Sequence, residues 1–419
     1  MSKNNNEIMK SRVTRTRQAL GYFITWTILA LLIGGAVGVA GFAFDKALEI
    51  AAELRGEHNW FLFLLPVAGL AIVGLYELWG VNEPKGTNRI LLAAERGDHV
   101  GLRVAPMIFI ATFLTHITGG SAGREGAALQ LGGSMANYIG RFTAKLRLKQ
   151  PDLRIVTMSG MAAGFSALFG APLASAVFAL EVTNNVIQYA ALYPCMLSSV
   201  VAKYVSGLLG GKPVCFELTQ VPAFSGPVIA KVIFLALLTS LLAILFVWVM
   251  EQSGHLNKKI FKNRYVRVLV GAALVIGLSL LEGSGDYNGA GMNIISRAVA
   301  GEAVWYAFLF KLLLTAITLG AGFKGGEIVP TLFVGSTFGC VVSGLVGLPA
   351  PFCAALCMMA LFCGVTNCPI AAIFLAFELF GSEGLVLYGL ACAISYLLSG
   401  QFSLYTAQTL RFSKLEYKE

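Results

Sequence analysis

The chain has 419 residues, of which 57% are hydrophobic and 13% charged, whereas an ordinary soluble domain carries about 25% charged residues. That deficit excludes a soluble globular protein. The net charge of +9 does not indicate a nucleic-acid partner either, because the basic residues lie in short gaps between apolar stretches.

In chain order, residues 1–19 form a polar segment too long and too basic for a cleaved signal peptide. Apolar stretches then recur over 20–44, 60–79, 104–118, 227–250, 265–281, 303–320, 328–348, 352–380 and 384–399. Several reach the ~20 residues that cross a bilayer as helix. Others are shorter or broken by Gly and Pro, which predicts half-helices buried in protein or lining a cavity. The expectation is an all-α polytopic membrane protein. The basic gaps hold Lys10, Arg12, Arg15 and Arg17, then Arg141, Lys145, Arg147, Lys149 and Arg154, then Lys258, Lys259, Lys262, Arg264 and Arg267. By the positive-inside rule those loops, with both termini, are expected in the cytoplasm of a multi-pass inner-membrane protein. All eight cysteines fall between Cys195 and Cys392 without a paired C-x-x-C zinc pattern, and read as small buried hydrophobes. His58, His99, His116 and His255 are scattered and form no metal or catalytic cluster, and no cofactor is implied.

The segment 207–226 is the long interior stretch rich in Gly and Pro, and it divides the chain near its middle. The expected organisation is a cytoplasmic N-terminal segment 1–19, a first transmembrane repeat 20–206, a linker 207–226, a second repeat 227–402, and a C-terminal helix and tail 403–419. Three motif pairs recur in the same order across that divide. Gly86-Thr87-Asn88-Arg89-Ile90 matches Gly291-Met292-Asn293-Ile294-Ile295, and Gly123-Arg124-Glu125 matches Gly325-Gly326-Glu327. Pro172 with Glu181 matches Pro369 with Glu378. Each pair is weak alone; three in register indicate an internal duplication. Duplicated transporters place their binding site between broken helices at the repeat interface, where backbone N–H groups at helix starts attract anions without a full positive charge.

Glu125 follows Gly119-Gly120-Ser121-Ala122-Gly123 and opens an apolar helix, so its carboxylate can cap that helix start as an anion. If another anion takes the capping position, the carboxylate must swing out or accept a proton, which would couple anion and proton movement. The plainer reading is an N-terminal acid paired with Arg124, but an ionisable group at membrane depth is by default functional. Glu327 in the matching run is either a second proton site or a charge paired with Lys324. Glu181 and Glu378 end matched apolar runs and read as structural acids that either cap backbone or pair with a loop cation. Thr87 and Asn88 can donate to an anion, or serve as turn and N-cap residues. Tyr405 on its own reads as an interfacial aromatic.

Together, Gly123-Arg124-Glu125-Gly126, Gly325-Gly326-Glu327-Ile328-Val329-Pro330, Ala171-Pro172-Leu173-Ala174 with Phe178 and Glu181, and Leu404-Tyr405 resemble the CLC chloride channels and anion/proton antiporters over about residues 20–410. The resemblance implies a homodimer of two inverted repeats with many tilted and partial helices, transporting halides with protons, and not an enzyme. It makes Glu125 the external gating glutamate. It implies an anion site formed by Thr87, Asn88, Gly126, Gly326, Glu327, Ile328 and Tyr405. The departures are specific: Gly86-Thr87-Asn88-Arg89-Ile90 lacks the usual proline, Ala127 stands where a proline commonly follows the gating motif, Val182 replaces an internal proton glutamate, and Glu327 replaces an apolar residue. Together they resemble the fluoride/proton antiporter branch, with Glu327 as the substitute inner proton site, although Val329 stands where that branch often has a hydroxyl residue. The alternatives within the same fold are a chloride/proton antiporter and a passive chloride channel. The chain ends soon after Tyr405, so a compact bacterial transporter without cytoplasmic regulatory domains is expected.

Overall fold

The computed structural model describes residues 2–80, 86–145, 152–183, 187–408 and 414. Among them are sixteen α-helices in two series of eight. The first series is α1 (Ser2–Glu57), α2 (Leu65–Leu78), α3 (Thr87–Arg96), α4 (Val104–Ile117), α5 (Glu125–Lys145), α6 (Leu153–Phe169), α7 (Pro172–Thr183) and α8 (Leu192–Leu208). The second is α9 (Gly226–Ile260), α10 (Arg264–Glu282), α11 (Met292–Val299), α12 (Ala307–Ala321), α13 (Ile328–Val346), α14 (Ala350–Thr366), α15 (Pro369–Phe380) and α16 (Leu385–Leu398). The polar segment expected at 1–19 enters α1 at Ser2 without a break. Between α8 and α9 the chain makes no helix. Residues 402–408 are not helical, and the helix expected beyond them falls mostly outside the described residues.

Helices α7 and α15 correspond in detail. Each has 12 residues and opens on proline, whose missing N–H is one of the donors a helix start leaves unpaired anyway. At 1.5 Å per residue each is about 18 Å long, too short to span a ~30 Å hydrocarbon core. Their remaining free N–H groups are therefore capped within the protein. Glu181, near the end of α7, accepts from Ile370 and Ala371 N–H at 3.1 and 2.8 Å. Glu378, near the end of α15, accepts from Leu173 and Ala174 N–H at 3.0 and 2.9 Å. Each helix thus ends on the other's start, and the two run antiparallel. Equivalent helices that run antiparallel are related by a two-fold axis across them, which makes the duplication an inverted repeat.

Among the described residues, five helical stretches are long and apolar enough to cross a membrane: Ala19–Glu57, Asn59–Leu78, Gly226–Ile260, Arg264–Glu282 and Ile328–Val346. The interior is built from shorter ones packed backbone to backbone. A Cβ on Gly132 of α5 would lie 2.1 Å from Gly160 O of α6, and one on Gly339 of α13 would lie 2.1 Å from Cys353 O of α14. Hydrocarbon surroundings give helices little hydrophobic reason to associate, so close approach at small residues supplies the contact. The apolar run 352–380 breaks at Asn367, which adopts φ 57° and closes α14 before Pro369 opens α15. Seven of the eight cysteines are buried and all are unpaired.

Candidate anion and proton site

The site lies where α5 and α13 start. Gly123 and Gly326 exchange two backbone hydrogen bonds, each 2.7 Å, and join the two repeats in a short antiparallel bridge. Glycine is required at this junction: a Cβ on Gly326 would sit 2.6 Å from Gly126 N, and one on Gly126 would sit 2.9 Å from Thr87 Oγ1 and 3.2 Å from Gly326 Cα. Two helix N-termini, each with unpaired N–H groups and the positive end of its dipole, are thereby brought face to face.

The Glu125 carboxylate fills that junction and is fully buried. Its Oε2 accepts from Val329 N–H of α13 and from Arg124 N–H, both at 3.1 Å. Its Oε1 has no hydrogen-bond partner and lies 3.9 Å from Arg124 Nε. Arg124 does not neutralise Glu125 in the simple way the sequence allows, because its guanidinium is in close ion-paired contact with Asp45 of α1. Glu125 is therefore held at the start of α13 by backbone donors of the kind that also bind anions.

Glu327 is the N-cap residue of α13, half-buried, and its side chain makes no capping hydrogen bond. Among the described residues it forms no ion pair with Lys324, whose Nζ lies instead over the Tyr76 ring, 5.1 Å from its centroid. Lys324 shares the electrostatic surroundings of Lys258, Arg264 and Arg267, so Glu327 belongs to the basic side of the protein. Tyr405 is buried, with a hydroxyl that has no hydrogen-bond partner and lies within electrostatic reach of both Glu327 and Glu125. Its loop is pinned: Tyr405 N–H donates to Ser403 Oγ, Ser403 Oγ to Gln408 Oε1, and Gln408 Nε2 to Thr366 O.

The remaining sequence candidates fall around this core. Thr87 is buried and donates a long 3.4 Å hydrogen bond to Gly126 O. Asn88 turns its carboxamide oxygen to Ala407 N–H at 3.0 Å, which ties the start of α3 to the Tyr405 loop. Ile328 is fully buried beside Val329. Val182 is fully buried in α7, and the neighbouring Glu181 is occupied as a cap. Sequence reasoning passed over Asp45, which decides where Arg124 points. An acid directly after the first apolar stretch, one helical turn ahead of Glu49, was the available signal.

A facing pair of helix starts bridged by one buried carboxylate, within an apolar inverted repeat, defines an anion-transport protein. The chain belongs to the voltage-gated chloride channel family, whose signature it matches over residues 68–400. It is 34% identical to a chloride/fluoride channel protein of Pseudomonas syringae pv. tomato, covering 97% of this chain and 91% of that one. It is 26% identical to the H+/Cl− exchange transporter ClcA of Vibrio cholerae over 93% of this chain and 91% of the other. Among solved structures it resembles a CLC-type fluoride/proton antiporter with a TM-score of 0.89 and 32% identity, over 93% of this chain and 98% of that one.

Proposed function

We propose that this chain is a fluoride/proton antiporter that exports fluoride across the inner membrane as a homodimer, with its basic loops and both termini in the cytoplasm. The observation that carries the reading is the disposition of acids around the anion junction. Glu125 occupies it, Glu181 is consumed as a cap beside the apolar Val182, and Glu327 is the second carboxylate in electrostatic reach of Glu125. Anion arrival at the start of α13 displaces Glu125, which leaves carrying a proton; Glu327, on the basic side, passes protons to and from the cytoplasm. Fluoride is small and strongly hydrated, so its site needs short donors. The N–H groups of Gly126, Ile328 and Val329, with the hydroxyls of Thr87 and Tyr405, are the donors at hand. The resemblance to the two fluoride-named relatives supports this choice of ion.

The test is efflux of fluoride and of chloride from proteoliposomes, with external pH recorded throughout. Fluoride leaving faster than chloride, with protons moving the opposite way, is the expected result. Chloride moving as fast with protons would make the protein a chloride/proton antiporter, and anion flux without proton movement would make it a channel. Either outcome overturns the proposal. The channel reading has one specific point in its favour, since loss of an acid at Val182 is equally what a channel would show.

A further inference from the structure

On the side of the bridge where Arg124 meets Asp45, the protein holds a cavity of about 880 Å³, walled by α1, the 209–216 segment and the loop leading into α11. Its acidic side chains are already matched. Asp45 pairs with Arg124, Glu49 with Lys46 at 2.7 Å, and Asp286 with Arg297 at 3.9 Å. Three basic side chains in or next to the wall have no ion pair among the described residues: the exposed Lys212 of the 209–216 segment, Arg55 and Lys311. Arg55, on the cavity wall at the end of α1, donates from Nη1 to His116 O at 2.6 Å and has no ion pair among the described residues. Lys311 of α12 is fully buried behind it, with Nζ donating to Tyr287 O at 2.9 Å and Gly289 O at 2.7 Å and lying 5.2 Å from the centroid of the Phe333 ring.

A half-buried arginine without a counter-charge, with the buried Lys311 amine behind it, is stabilised when an anion takes up its free guanidinium hydrogens. The backbone is shaped to leave room for this arginine. Gly289 has φ 61°, and a Cβ there would come 2.7 Å from Arg55 Nη1. The imidazole beside it supplies a second and independent indication. His116 is buried and lines the cavity, and its Nδ1 faces Thr112 O at 2.9 Å, an acceptor, so Nδ1 carries the hydrogen. Nε2 is then a bare acceptor, and it has no partner. A free cationic donor on a cavity wall is complementary to a small hydrated anion, and the closed-off Nε2 gains a donor only when the imidazole turns toward that anion's water.

We propose that Arg55 and His116, with Lys311 behind them, form an outer anion-binding site for a small hydrated inorganic anion such as a halide. The site is separate from the Glu125 junction, with the Asp45–Arg124 pair on the wall that the cavity shares with it. It concentrates the anion before transfer and does not depend on whether transport is coupled to protons, so it can stand or fall apart from the antiport reading.

Bromide tests the assignment in the full-length protein by anomalous diffraction, together with the dependence of proteoliposome flux on external chloride concentration. In the wild type and in Arg55→Lys, a bromide peak within hydrogen-bonding distance of residue 55 is expected. Arg55→Gln should lose the peak and raise the half-saturating external chloride concentration by about 10-fold, with maximal turnover within a factor of two. No peak in the wild type, or a peak unchanged in Arg55→Gln, overturns the site. A peak whose loss leaves half-saturation unchanged marks binding at crystal concentration only, and overturns its part in transport. Arg55→Lys keeps the charge and separates loss of the site from loss of the fold.

Discussion

Glu125 holds its place through two backbone N–H donors and leaves one oxygen unsatisfied, so its bound state is stabilised yet incomplete. That balance suits a group that must leave when an anion arrives. Glu125→Gln keeps the shape and the acceptor oxygen but cannot exchange a proton at neutral pH. It is expected to abolish proton flux in liposomes; proton-driven anion gradients persisting at wild-type rates would remove Glu125 from the proton route. In the proposed route Glu327 is the partner at the residue scale, since it heads α13 without a side-chain capping hydrogen bond. Glu327→Gln should suppress proton movement by at least an order of magnitude, and intact proton flux in that variant would show the acid to be structural. Glu125 and Glu327 were both legible in the sequence as the acids of matched Gly-x-Glu motifs. Their opposite settings were not, since one is sealed under the bridge and the other faces the basic side only because two distant segments meet there.

At the scale of elements, the reciprocal caps between α7 and α15 hold the repeats together at a depth where water cannot replace a lost partner. Removing the Glu378 carboxylate leaves the Leu173 and Ala174 N–H groups unpaired. Glu378→Ala should therefore lower stability by about 1–3 kcal/mol, read as a fall in Tm of the detergent-solubilised protein. A Tm unchanged within error would mean that other groups satisfy the α7 start. Helix α6 is capped differently, by Asp152 in the loop before it, whose Oδ1 accepts from Arg154 N–H at 3.0 Å. The Arg154 guanidinium, hydrogen-bonded to the same carboxylate, holds its pKa below the ordinary value, against a smaller opposing effect of partial burial. A depressed native pKa stabilises the fold above the unfolded-state value of about 3.9, and the contribution is lost as pH falls through the native value. Asp152→Ala should lower Tm at pH 7, and the difference from wild type should close as the pH is taken well below 4. A constant difference across that range would show that the carboxylate charge contributes nothing. Glu181 and Glu378 were readable as structural acids from their duplicated positions, but that they cap backbone and exchange partners between repeats was not, because sequence offsets do not state which helix end meets which.

For the whole molecule, α1–α8 and α9–α16 form one inverted duplication whose two-fold relation puts the uncapped starts of α5 and α13 against each other in the interior. The outer surface remains apolar. On α8, Val200, Tyr204 and Leu208 recur at one-turn spacing and are exposed, as are Ile370 and Phe377 on α15 and Val386 and Leu397 on α16. Apolar faces of this kind suit lipid or a second copy of the chain. Light scattering in mild detergent should return a protein mass twice that of the chain, and a mass of one chain would refute the homodimer. Hydropathy alone located the long helices but passed over α6, α7 and α8, which lie between the apolar stretches at 104–118 and 227–250. Their glycines, alanines and serines are the residues of close backbone packing, and they score poorly as membrane spans because they face protein.

The sequence by itself determined that this is a polytopic helical membrane protein, that it is duplicated, and that Glu125 and Glu327 hold equivalent places beside glycine-rich helix starts. Composition, periodicity and repeated motifs are local properties of the chain, and they are enough for that much. Only the tertiary structure decided that Arg124 answers to Asp45, that Asn88 serves the Tyr405 loop, and that Arg55 and Lys311 are left without acids. Charge pairing inside a membrane protein is settled by which side chains meet across segments far apart in sequence, and in a medium with little water each unpaired group has a consequence that no local pattern records.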